Sequence, residues 1–132
     1  MGCDIHPVIE VREFGGWYPR AVPDDGRFYE FFGFLAGVRD SGATALAPRR
    51  GLPEGVGSKT RMLLSGDHSE SWCTLAEFRS HRAVVESEGE VWEGRNSALD
   101  RWDSWIRAAE ACVSWVSGAT EDDVRFVFNF DS

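Results

Sequence analysis

Apolar and polar residues alternate along the first fourteen positions. Cys3, Ile5, Ile9 and Val11 fall on one side and Asp4, His6, Glu10 and Arg12 on the other, which is the period of a half-buried strand. Gly15-Gly16 reads as a hairpin turn, and Trp17 to Val22 returns as a second strand that Pro19 confines to an edge. Behind Asp24-Asp25 the period changes. Phe28, Phe31, Phe32, Leu35 and Val38 recur at helical spacing, with Gly33 and Gly37 either allowing close backbone approach or marking the end. From Ser41 to Gly66 the chain is rich in Gly, Pro, Ser and Arg and has no period, the mark of a long functional or mobile loop.

Thr74 and Glu77 form a capping-box pattern that opens a second helix running towards Val85. A third starts near Asn96 or Ser97 and carries Leu99, Trp102, Trp105, Ile106, Ala109, Cys112, Val113 and Val116 on one broad stripe, stopping at Gly118. The segment VRFVFNFDS closes as a strand, with Phe126, Phe128 and Phe130 on one face and Arg125, Val127, Asn129 and Asp131 on the other. The order predicts an α+β fold in one domain over residues 1–132. Its small, largely antiparallel sheet packs against about three helices. The terminal strands are predicted to pair, because both are too apolar for a solvated edge, and pairing would set Asp4, His6 and Glu10 near Asn129 and Asp131.

Composition supports an independent core: 42% of the 132 residues are hydrophobic and six are tryptophans, which need burial or a ligand face. The formal charge of −8 argues against broad nucleic-acid binding. A local anion site survives that argument, since thirteen of the fourteen basic residues are arginines, suited to planar contacts with phosphate or carboxylate. Cys3, Cys73 and Cys112 are odd in number and scattered, which predicts reduced thiols and a cytoplasmic location. No secretory leader or membrane-length apolar run is evident, and His6 stands where an N-myristoylation signal wants Ser or Thr. A soluble protein with no membrane partner is expected; a homo-oligomer is left open.

Three stretches carry candidate chemistry. Asp4 and His6, two apart on one strand face, have Cα atoms roughly 6–7 Å apart. With His68 they would hold a divalent metal ion such as zinc, or act as an acid–base group. The alternative is that they satisfy each other and nearby backbone. The block GDHSESW places His68, Ser69, Ser71 and Trp72 just ahead of the second helix, where backbone N–H groups and hydroxyls hold anions; otherwise Ser71 or Thr74 merely caps that helix. Arg49 and Arg50 precede a Gly-Leu-Pro turn and form an anion clamp, unless they are ordinary surface charges. No phosphate-cradling glycine loop and no nucleophile elbow is present.

Together MGCDIH, FFGFLAGVRD, RGLPEGV, DHSESWCTLAEF and VRFVFNFD resemble a family of small uncharacterised proteins of tailed phages, prophages and bacteria. Family members often carry a second histidine where this chain has Glu70, and asparagine where it has Ser132. The resemblance implies a phage-type accessory protein acting in the host cytoplasm. Three functions follow. The first is capture of a small anionic, nucleotide-like ligand by Arg49, Arg50, Ser69, Ser71 and Trp72, with host-defence counteraction as its purpose. The second is metal-dependent hydrolysis by Asp4, His6 and His68, and the third is protein–protein inhibition through the acidic surface.

Overall fold

The computed structural model describes residues 2–40 and 42–132. Its elements are β1 (Asp4–Glu13), β2 (Gly16–Ala21), α1 (Tyr29–Ala36), α2 (Ser58–Leu63), β3 (His68–Thr74), α3 (Leu75–Glu88), β4 (Val91–Trp92), β5 (Arg95–Asn96), α4 (Ser97–Trp115), a short 3-10 turn (Glu121–Asp123) and β6 (Val124–Asp131). Four strands form one antiparallel sheet in the order β2-β1-β6-β3, and β4 and β5 form a separate two-stranded ribbon. This is the expected α+β architecture, with the terminal strands paired at the centre of the sheet. The register sets Asp4 against Asp131, His6 against Asn129 and Glu10 against Arg125.

One sheet face is apolar throughout. Ile5, Ile9, Phe126, Phe128 and Phe130 pack beneath α1, α3 and α4. Phe78 of α3 lies flat on Trp102 of α4 with ring centroids 3.9 Å apart, and Phe32 of α1 meets Phe130 edge-on at 5.2 Å. Buried indoles need a partner for their N–H. Trp102 donates to the Phe78 carbonyl at 2.7 Å and Trp105 to the Asp24 carbonyl at 2.9 Å.

Local signals explain most boundaries. Thr74 and Glu77 make the reciprocal capping box, Asn96 caps α4 by accepting from the Leu99 N–H, and α1 ends where Gly37 turns left-handed at φ 69°. The hairpin between β1 and β2 turns on Phe14 and Gly15, one residue earlier than the sequence suggests; both have positive φ, as a two-residue turn of this twist requires. Residues 68–74 depart further from expectation. They form the edge strand β3 against β6, so the HSESW stretch is sheet and not a loop ahead of a helix. Within the long irregular segment, α2 adds one short helix. Among the described residues no helix is long and apolar enough to cross a membrane.

Candidate functional site

The second face of the sheet carries the alternate residues: His6, Val8 and Glu10 from β1, Arg125, Val127, Asn129 and Asp131 from β6. The segment from Arg50 to Asp67, including α2, covers part of it, and buried polar groups hold that cover in place. Glu10 is 0% exposed and accepts four contacts: from Arg125 Nε at 2.8 Å on one oxygen, with Nη2 also at 2.8 Å, and from the Gly57 N–H at 2.9 Å and the Thr60 hydroxyl at 2.6 Å on the other. Arg125 donates further to the Glu54 carbonyl at 3.1 Å, and its guanidinium carbon sits 3.9 Å from the centre of the Trp17 ring. Its Nη2 makes no well-aligned hydrogen bond. Desolvation favours the neutral form of Arg125 and lowers its pKa, while the bond to Glu10 opposes that shift. Gly57 is glycine for want of space: a Cβ there would come within 2.6 Å of the Trp17 carbonyl and 3.3 Å of the Glu10 carboxylate.

Asn129 clamps the far end of the cover. Its amide accepts from the Gly66 N–H at 3.1 Å and donates to the Gly66 carbonyl at 2.9 Å, and the Asp67 N–H bonds the Phe130 carbonyl at 2.9 Å. A Cβ on Gly66 would lie 2.5 Å from the Phe130 carbonyl oxygen. Here, at the open end of β1, β6 and β3, a polar rim gathers. His6 Nε2 donates to Asp131 at 2.5 Å and Asp4 pairs with Arg27 at 3.0 Å. Beyond β6, Arg49 donates to the Ser69 hydroxyl at 2.9 Å, Ser69 contacts His68 Nδ1 at 2.7 Å, and His68 Nε2 contacts the Ser132 hydroxyl at 3.2 Å. Arginine only donates, so the Ser69 oxygen accepts from it and its proton is free to meet His68 Nδ1. Ser69 holds φ 61°, a left-handed conformation costly for a serine, at the bulge where β3 slips register against β6.

The structure thus joins some candidates and separates others. Asp4, His6 and His68 are not a ligand set. His6 lies opposite Asn129, whereas His68 lies opposite Phe130 and stacks on that ring at 6.4 Å, and Asp4 is engaged by Arg27. Among the described residues no group of three His, Cys, Asp or Glu side chains is placed to hold a metal ion. The physical reason is the pleat. Adjacent registers on the central strand send side chains to opposite faces.

The second candidate set does converge: Arg49 meets Ser69, the Arg50 N–H meets the Ser71 hydroxyl at 3.1 Å, and the Arg50 guanidinium lies 5.1 Å from the Trp72 ring centre. Arg50, however, is already neutralised by Glu77, whose two carboxylate oxygens take both its Nη atoms. That bond, with help from the Thr74 backbone, holds the Glu77 carboxyl down to about 2 from its ordinary 4.5. Neither Cys73 nor Cys112 is a nucleophile by this geometry, because burial pushes both thiols up and away from the thiolate. Sequence reasoning missed Glu10 and Arg125 as a buried pair, and it missed the contact of the Ser65 hydroxyl, within the long irregular segment, with His6 Nδ1 at 2.9 Å. No family profile, curated protein or solved structure matches the chain.

Proposed function

We propose that the protein captures a small anionic ligand at the polar rim, with Arg49 as its charged contact and the Ser69 hydroxyl beside it. One observation carries this reading. Most arginines of this acidic chain are consumed by carboxylates, yet among the described residues no carboxylate pairs with Arg49, which donates instead to the neutral Ser69 hydroxyl. Arg50 supports the site from behind through Trp72 and Glu77. Because Arg50 covers the Trp72 ring, that ring is a wall, and the anionic group of the ligand, phosphate or carboxylate, is the part this geometry recognises. The three free, buried cysteines suit a reducing compartment, and the resemblance to phage proteins suits sequestration of a host signalling anion.

Calorimetric titration with inorganic phosphate, AMP and a cyclic mononucleotide tests the reading. Arg49→Ala is expected to weaken binding by roughly 10–100-fold, the equivalent of one charge-assisted hydrogen bond at about 1.5–3 kcal/mol. Arg50→Ala should lower the melting temperature more than it lowers affinity. Equal binding by wild type and Arg49→Ala, or no binding of any probe, overturns the proposal.

A further inference from the structure

Ser65, His6 and Asp131 stand in one hydrogen-bonded line. The Ser65 hydroxyl lies 2.9 Å from His6 Nδ1, and His6 Nε2 lies 2.5 Å from Asp131 Oδ2. A carboxylate only accepts, so the proton belongs on Nε2 and the Nδ1 lone pair faces the serine. The bond from His6 holds the Asp131 carboxyl below its usual range, which keeps it an acceptor.

The placement of Ser65 is built and not incidental. It follows a tight turn at Leu64, in which the Ser65 N–H bonds the Leu63 carbonyl at 3.0 Å, and Gly66 directly after it is held by both arms of the buried Asn129 amide. On the other side, α2 is anchored through Thr60 to the buried Glu10. A small cavity of about 130 Å³ is lined by the two chain neighbours of the serine, Leu64 and Gly66, with Asn129, Leu52, Glu70 and Arg61.

We propose that Ser65 is the nucleophile, and His6 the general base, of an acyl-transfer site for small carboxylic esters, with Asp131 as the group that positions the imidazole. The inference does not rest on the anion-binding reading. As Ser65 Oγ bonds to the ester carbon, its proton passes to His6 Nδ1 and the carbonyl electron pair moves to oxygen. Collapse expels the alkoxide, which leaves as the alcohol with that proton. Water then gives a proton to Nδ1 as its oxygen attacks the acyl-serine, the acid departs, and Ser65 recovers its proton. The Gly66 N–H, which follows the nucleophile, is taken by Asn129, and in this proposal the developing oxyanion falls to Arg61, the cation that lines the neighbouring cavity.

The test is labelling of the full chain with a small fluorophosphonate, read by intact mass and peptide mapping, together with release of p-nitrophenol from its acetate ester. Expected is one adduct, on Ser65, absent in Ser65→Ala and slowed at least about 100-fold in His6→Gln. Ser117→Ala, at an exposed serine beyond α4, should label as wild type does. Ser65 is exposed, so Ser65→Ala should melt like wild type. Asn129→Ala, checked to be folded at the assay temperature, should slow labelling by freeing Ser65 from His6. No adduct on Ser65, an adduct formed equally fast in His6→Gln, or a rate indifferent to Asn129→Ala overturns the proposal.

Discussion

On the helical face of the sheet Phe126 touches Phe78 and Trp105, with ring centroids 4.7 and 5.2 Å apart. One residue earlier on the same strand, Arg125 turns to the other face and bonds a carboxylate that is 0% exposed. The two faces share backbone and register but differ in what holds them. The apolar face is cohesive without direction: many contacts contribute a little each, and any well-shaped hydrophobic set would serve. The polar face depends on a few directed bonds, each of which fixes a particular stretch of the covering segment. Glu10 fixes Gly57 and Thr60, Arg125 fixes Glu54, and Asn129 fixes Gly66. The polar rim therefore sits on a scaffold that can fail locally while the core stays intact.

The largest test of that contrast is Arg125→Met. It strands the Glu10 carboxylate, and chemical denaturation should show a loss of about 3–5 kcal/mol. Adding Glu10→Met should restore part of the loss, since two apolar side chains leave no uncompensated charge. A double variant no more stable than the single one would mean that the pair serves packing and not charge. Asn129→Ala comes next. About 1–3 kcal/mol should be lost for the two backbone groups of Gly66 left without partners. Hydrogen exchange should quicken at Gly66 and Asp67 but not at Phe128 or Phe130; a uniform rise across the sheet would show that the two faces unfold as one.

The smallest effect concerns Glu77. Folding lowers its carboxyl from 4.5 to about 2, so the ionised form is the stabilising one. Its contribution is complete above pH 4.5 and drains as the pH falls towards 2, on the order of 1 kcal/mol once solvent screening at this half-exposed pair is allowed for. Glu77→Gln should flatten that part of the acid titration of stability. A wild-type and variant profile with the same slope between pH 4.5 and 2 would remove the Arg50 bond from the account.

The core face was legible because its residues repeat at the period of their element. Phe126, Phe128 and Phe130 alternate, and the α4 stripe returns every three or four positions. The Thr74 and Glu77 capping box was legible because both partners lie within one turn. Strand β3 hid itself. Ser69 at φ 61° breaks the alternation, and the remaining residues, short and polar, read equally well as loop. Read as loop, that stretch puts His68 at the same site as His6, although the pleat sends them apart. The six residues of α2 are too few to show a period. Arg125 was seen on the correct face, but nothing local marks its partner. Glu10 is 115 residues away, and the two bonds of His6 span 59 and 125 residues. A pairing of that separation is a property of topology and not of any window of sequence.

The central position of β6 has a further consequence, for the order in which the protein is made. Every other element leaves the ribosome before Val124–Asp131 does, yet β1 and β3 have no shared neighbour until it arrives. Until then Phe31, Phe78, Trp102 and Trp105 have helices to pack on but lack the three phenylalanines that floor the core. The newborn chain must keep a broad aromatic surface waiting, and closing the sheet means bringing together segments from opposite ends of the described chain, a slow step for any fold whose contacts are this remote. For this topology the core closes only once β6 has been made, however early its helices form.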